Sequence, residues 1–317
     1  MTTGSERMTF ILKPPSLLAQ LRDKPWGRWS LIGTPYFWLC LFFLFPFFIV
    51  LKISISELSE TGIGFLPMAG MEDGVLQLRL KFSNYIFLLT DSLYIKTYLS
   101  SLRFALVTTL VCLFLGYPFA YFLARSPATI RPTLMMLVML PFWTSFLLRI
   151  YAWKGLLDTN GLINQLLMNI GLIDEPLKMM HTAFSLQLGM VYVYLPFMVL
   201  PLYANLVKMD LRLLEAAADL GARPWRIFWR ITVPLSRNGI LAGSMLVFIP
   251  CVGEYVIPAL LGGPDTLSIG RVLWDEFFNN NDWAMASSVA VVMMILILGP
   301  MAWFNRIQAA EAAGGAR

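Results

Sequence analysis

Long apolar runs, almost free of charge, alternate with short polar stretches along this chain. The runs fall near 31–52, 99–123, 132–152, 184–206, 239–262 and 285–305. Each has the roughly twenty residues that carry an α-helix across a hydrocarbon core of about 30 Å. The pattern predicts an all-α, polytopic membrane protein of about six transmembrane helices. A segment 1–30 precedes the transmembrane domain 31–305, a polar loop 207–238 divides its fourth and fifth spans, and a tail 306–317 follows. The first run, LIGTPYFWLCLFFLFPFFIVLK, is longer than a signal-peptide core. It leads into SISELSE without a small-residue cleavage site, so it reads as a retained helix.

Composition agrees with the pattern. Hydrophobic residues make up 58% of the 317 and charged ones only 14%, against about a quarter charged in soluble domains. The distribution of charge then sets an orientation. With the N-terminus inside, the inner segments hold about fifteen Lys and Arg against about six acids, and the outer ones about nine against about thirteen. Both termini are therefore expected in the cytoplasm. Outer loops near 53–98, 153–183 and 263–284 are large enough for a docking surface. Within the first, GMEDGVLQLRLKFSNY alternates weakly, like a short strand pair, and MTFILKPPSLLAQL near the N-terminus suits the inner interface.

Several chemistries are excluded by inventory. Cys40, Cys112 and Cys251 each sit inside an apolar run, with no disulfide or metal spacing. His181 is the only histidine, which rules out H-E-x-x-H zinc sites, and no G-x-S-x-G accompanies it. No G-x-x-x-x-G-K-[ST] is present, so the chain does not hydrolyse ATP through a P-loop. The sequence predicts no enzyme, no catalytic residue, no metal and no cofactor of its own.

The polar loop between the fourth and fifth spans carries EAAADLGARPWRIFWRITVP, from Glu215 to Pro234. Asp210 can cap a helix over about 211–220, Gly221 suits a left-handed stop, and Pro224 suits the first turn of a second helix. In that helix Arg223, Arg226 and Arg230 share one face at i, i+3 and i+7, and Trp225 and Trp229 pair at i, i+4. Arginines toward phosphates and tryptophans at headgroup depth describe a helix on the inner leaflet.

The spacing Glu215-Ala216-Ala217, Gly221, Ile231, Val233-Pro234 resembles the EAA signature of ABC importer permeases, in the same place between spans. The resemblance implies the type I permease fold with a cytoplasmic coupling helix seated on an ATPase subunit. Glu215, Ala216, Ala217, Gly221, Arg223, Pro224, Ile231 and Pro234 are the implied coupling residues. Small alanines allow close approach, Glu215 offers a charged contact, and the Gly221 turn can pass a push into the fifth span. The stretches LPFWTSFLLRIYAW, VYVYLPFMVLPLY, MLVFIPCVGEYVIPALLGGPD and IGRVLWDEFFNNNDW resemble the polyamine branch of these permeases.

That branch implies a permease subunit carrying putrescine or spermidine from periplasm to cytoplasm across the bacterial inner membrane. The implied partners are a second related permease, two cytoplasmic ATPases holding ATP and magnesium, a periplasmic polyamine-binding protein and the lipid bilayer. No nucleic acid is implied. Residues 1–30 carry no resemblance.

Glu254 is the acid inside a predicted span, between Gly253 and Tyr255 and flanked by Pro250 and Pro258. A charge at helix-centre depth costs about 2.5–3.5 kcal/mol, so it faces a cavity or a partner. It can meet a substrate ammonium on the transport path, pair with an arginine of the partner permease, or sit wetted near the outer interface. Trp143, Tyr151, Tyr192, Tyr194 and Tyr255 can add cation–π contacts, or else serve as interfacial and packing residues. Asp265, Asp275 and Glu276 suit either contact with the binding protein or solvation of the outer loop, and Arg103 and Arg149 are expected to snorkel outward. Rival readings are a permease of the same class for an anion, ferric ion or other small solute, a secondary carrier, and an intramembrane enzyme. Only about six spans, the elbow and the absence of visible repeats weigh against the carrier. The lack of paired acids or a Ser-His set in the spans weighs against the enzyme.

Overall fold

The computed structural model describes residues 25–57, 65, 69–72, 75–78 and 81–314. The amphipathic stretch expected at residues 8–21 lies outside them. Pro25–Leu39, a π turn Cys40–Leu44 and Phe45–Ser54 run on as one helix, α1. As far as Lys52 this helix belongs to a first, separate unit, and Phe37, Trp38 and Phe43 stand exposed along it.

The second unit begins with the antiparallel strands β1 (Ala69–Glu72) and β2 (Val75–Leu78), paired from Ala69 with Leu78 to Glu72 with Val75. These are the weakly alternating residues of the outer loop. Helices follow throughout the rest: α2 (Ser83–Thr90), α3 (Ser92–Arg125), α4 (Arg131–Met139, then a 3₁₀ turn to Trp143), α5 (Phe146–Leu157) and α6 (Leu162–Asn169). After them come α7 (Ala183–Leu206), α8 (Arg212–Asp219), an elbow helix α9 over Pro224–Leu235 with a π turn at Phe228–Thr232, and α10 (Arg237–Val252). The chain closes with α11 (Val256–Leu261), α12 (Ile269–Trp274, then a π turn to Asn279) and α13 (Trp283–Gly314).

Among the described residues four helices are long and apolar enough to cross a bilayer, and two bent pairs bring the number to as many as six. Two of the apolar runs are not single straight helices. The run 132–152 is not one straight helix, because the chain turns by 85° between α4 and α5 at residues 143–145. Pro141 removes a helical N–H just before the turn, and Thr144 is extended. The run 239–262 is also divided: α10 stops at Val252, residues 253–255 break the helix, and α11 resumes at Val256.

The core lies where α3, α7 and α10 pack together. Ala105, Cys112, Ala120 and Leu123 from α3 meet Leu186, Met190, Met198 and Leu202 from α7 and Val247 and Cys251 from α10. Lipid is as apolar as leucine, so close packing rather than exclusion from water holds such helices together. Gly239 and Gly243 provide that closeness. A Cβ at Gly239 would stand 2.8 Å from Asn205 Cβ, and one at Gly243 would stand 2.8 Å from Met198 Sδ and 3.1 Å from its carbonyl oxygen. This small-x-x-x-small pair seats α10 directly on α7.

Candidate functional site

The polar elbow is built from local capping. Asp210 Oδ1 accepts the N–H of Arg212 at 3.0 Å and starts α8. At its other end Ala222 N–H reaches Ala217 O at 3.0 Å and Gly221 N–H reaches Ala218 O at 2.8 Å. This doubly bonded C-cap needs a left-handed residue between its donors, and Gly221 has φ +81°. The distance from Ala217 to Gly221 is thus set by the hydrogen bonds that end the helix. Glu215 and Ala216 are exposed and Ala217 half-buried, with Leu220 89% exposed beside them.

Arg223 is extended and Pro224 occupies the first turn of α9. The arginine face expected at i, i+3 and i+7 is modified: Arg223 precedes the helix, and the π turn at Phe228–Thr232 opens the register before Arg230. All three arginines remain exposed. Trp225 and Trp229 pack edge to face at 5.5 Å, as the i, i+4 spacing suggests. Phe228 lies edge-on to Tyr117 at 5.5 Å and Tyr121 at 6.0 Å, and Tyr117 shares a 2.8 Å hydrogen bond with Ser236. These contacts tie the elbow to the end of α3. Ile231 is half-buried, Pro234 exposed, and α9 meets α10 at 65°. A displacement of α8 therefore has a stiff route into α10.

The second group of candidates gathers at the break after α10. Glu254 Oε1 accepts the N–H groups of Val256 at 3.0 Å and Ile257 at 3.3 Å. The buried Tyr194 hydroxyl donates to Oε2 at 2.5 Å. Ser268 Oγ donates to the Glu254 carbonyl at 3.2 Å, and Gly270 lies so close that a Cβ there would meet Gly253 O at 2.5 Å. The carboxylate is thus held entirely by its own chain, with two backbone donors and one phenol against about four lone-pair positions. Glu254 itself is only half-buried.

The aromatic candidates separate. Tyr194 joins Glu254 directly, and Tyr255 stacks on Trp274 at 4.4 Å, which continues to Phe278 at 4.1 Å. Tyr192 packs against Trp153 at 5.5 Å, Trp143 is 77% exposed at the α4–α5 bend, and Tyr151 is exposed on α5. Arg149 packs on aromatic rings. Its guanidinium lies over the ring of Phe142 at 5.2 Å, and rings of Phe142, Phe197 and Tyr194 lead from it toward Glu254. Arg103 is exposed. In the segment 263–284 Glu276 accepts from Tyr94 at 2.7 Å, and Asp275 accepts from Asn279 at 2.7 Å, so both acids brace it; Asp265 is exposed.

Sequence reasoning misses both the capping role of Glu254 and its bond to Tyr194. A signal for the first exists: an acid followed by an apolar stretch just after a glycine is a helix-start pattern. No groups of His, Cys, Asp or Glu suited to a metal occur among the described residues.

A bundle of bent apolar helices with a capped, charged elbow between two of them defines a multi-pass membrane permease. The chain belongs to the family of binding-protein-dependent transport system inner membrane components, whose match covers residues 115–310. It is 41% identical over 267 residues to the spermidine/putrescine transport system permease protein PotB of Escherichia coli, covering 84% of this chain and 92% of that one. Against the PotB protein of Haemophilus influenzae the identity is 37% over 266 residues, covering 84% and 88%. The crystal structure of a bacterial alginate ABC transporter, in complex with an alginate pentasaccharide-bound periplasmic protein, contains a chain of the same fold. Its TM-score is 0.67 at 16% identity, covering 92% of this chain and 97% of that one. The all-α, type I ABC importer permease fold follows.

Proposed function

We propose that this chain is a permease subunit of an ATP-driven importer that moves a polyamine, putrescine or spermidine, from periplasm to cytoplasm. The observation that carries the reading is the 41% identity to a spermidine/putrescine permease over 84% of the chain. The elbow supports the coupling half of it: Glu215 and Ala216 are exposed on a short helix with Ala217 half-buried beside them, and Gly221, Arg223, Pro224, Ile231 and Pro234 build the joint behind them. Two cytoplasmic ATPases dock there and supply ATP and magnesium. A second related permease completes the path, and a periplasmic polyamine-binding protein delivers the cargo. The excess of Lys and Arg in alternate loops supports cytoplasmic termini in an inner membrane.

Glu254 is the fixed charge of the path. Permeation needs a site strong enough to be entered and weak enough to be left. A carboxylate already satisfied by Tyr194 and two backbone N–H groups meets that need, because an ammonium group competes with internal donors. Tyr255, next in sequence, stacks on Trp274 and adds an aromatic surface for the same cation.

The test is ATPase activity with purified subunits. The lone chain is expected to hydrolyse no ATP. The full complex is expected to be stimulated by binding protein loaded with putrescine or spermidine, and not by the same protein when empty. Stimulation by a bound anion or ferric ion instead would replace the cargo, and robust hydrolysis by the lone chain would overturn the assignment.

A further inference from the structure

Between α3 and the elbow helix α9 runs an apolar groove of about 480 Å³ that the transport mechanism does not use. Leu113, Phe114 and Tyr117 form one wall, and Trp225, Phe228 and Trp229 form the other. The second wall is stiff, since its three rings pack on one another and Phe228 is locked edge-on to Tyr117. It is also open: Phe114 is 78% and Trp225 73% exposed. Arg226 and Arg230 each follow a groove-lining tryptophan by one residue and are exposed. Among the described residues no acid pairs with either guanidinium.

We propose that this groove is a binding site for an anionic phospholipid of the leaflet on the elbow side. One acyl chain lies between the leucine and aromatic walls, and the phosphate meets Arg226 and Arg230. Three features favour a lipid over a protein segment. The lining is almost wholly apolar, tryptophans mark headgroup depth, and two exposed arginines without acid partners directly follow the lining tryptophans, where a phosphate can accept forked N–H donors. The site is independent of the transported solute. Because Trp225, Phe228 and Trp229 belong to the joint between α8 and α10, the lipid acts as a wedge that sets how far the elbow swings.

The test uses the full transporter complex in phosphatidylcholine nanodiscs carrying a minor fraction of phosphatidylglycerol with a diazirine on one acyl chain. After irradiation, lipid is expected on peptides containing residues 110–118 and 225–233. Unlabelled phosphatidylglycerol is expected to compete it away and unlabelled phosphatidylcholine to leave it in place. Arg226→Gln and Arg230→Gln are each expected to lower labelling about fivefold, from the attraction of one cation to an anionic lipid, while Arg→Lys at either position preserves most of it. Equal competition by phosphatidylcholine overturns the proposal. So does an unlabelled groove in the complex that becomes labelled in the isolated chain, since a protein partner then fills it. The competition arm needs only the wild-type chain, so it decides the matter even where a variant fails to assemble.

Discussion

Glu254 illustrates how one carboxylate at a helix break is held by hydrogen bonds from its own chain. Its two oxygens take three donors from the same chain, and the most distant of them comes from α7. A hydrogen bond to a charged group contributes about 1.5–3 kcal/mol, so on the proposed path Tyr194 has a large share in how strongly the carboxylate would attract an ammonium. Tyr194→Phe keeps the buried ring and removes only the hydroxyl. If the internal donors weaken the site for release, this variant binds substrate more tightly and passes it more slowly. Uptake kinetics on the reconstituted complex are expected to show both KM and kcat falling. A rise in KM with unchanged kcat would mean that Tyr194 merely positions the carboxylate.

At the scale of elements, the elbow and the α7–α10 contact make opposite demands on glycine. At Gly221 a Cβ would meet nothing, so the cost of a side chain is purely conformational. Gly221→Val is expected to strain the turn by about 1–2 kcal/mol, and the ATPases should be lost in co-purification while the chain still inserts. Gly221→Asn, which tolerates positive φ, should retain most of them. At Gly243 the constraint is steric: Gly243→Val drives a branched side chain into Met198. Overpacking of this kind costs about 1–3 kcal/mol, and a lower melting temperature of the detergent-solubilised complex is the measurement. The elbow was legible in the sequence because caps, turns and prolines act within a few residues. The two breaks were not, since each is three residues long inside a run that stays predominantly apolar on both sides, and a span-length window averages over it. The Tyr194–Glu254 bond spans 60 residues and exists only once α7 and α10 have packed. Tyr192 and Trp143 show the converse. They carry the right chemistry in sequence, but the fold turns one to Trp153 and leaves the other exposed.

At the scale of the whole molecule, the proposed function makes the elbow and the broken α10–α11 segment two ends of one lever. In that proposal the capped α8 receives force; α9 and Ser236 are fixed to α3, and α10 runs from that joint to the break that holds Glu254. An ATP-driven change at the ATPase can therefore alter the geometry around the carboxylate without any chemistry in this chain. The direct measurement is uptake of labelled putrescine into proteoliposomes containing the full complex, with binding protein outside and ATP inside. The wild-type complex is expected to accumulate putrescine only when both are present. Glu254→Gln, which removes the charge and keeps the shape, is expected to slow uptake by roughly tenfold to several hundredfold, corresponding to about 1–4 kcal/mol of lost attraction. Complex abundance and binding-protein affinity should not change. Absence of ATP-dependent putrescine accumulation by the intact wild-type complex would contradict the assignment, and uptake by the Gln variant equal to wild type would take Glu254 off the path.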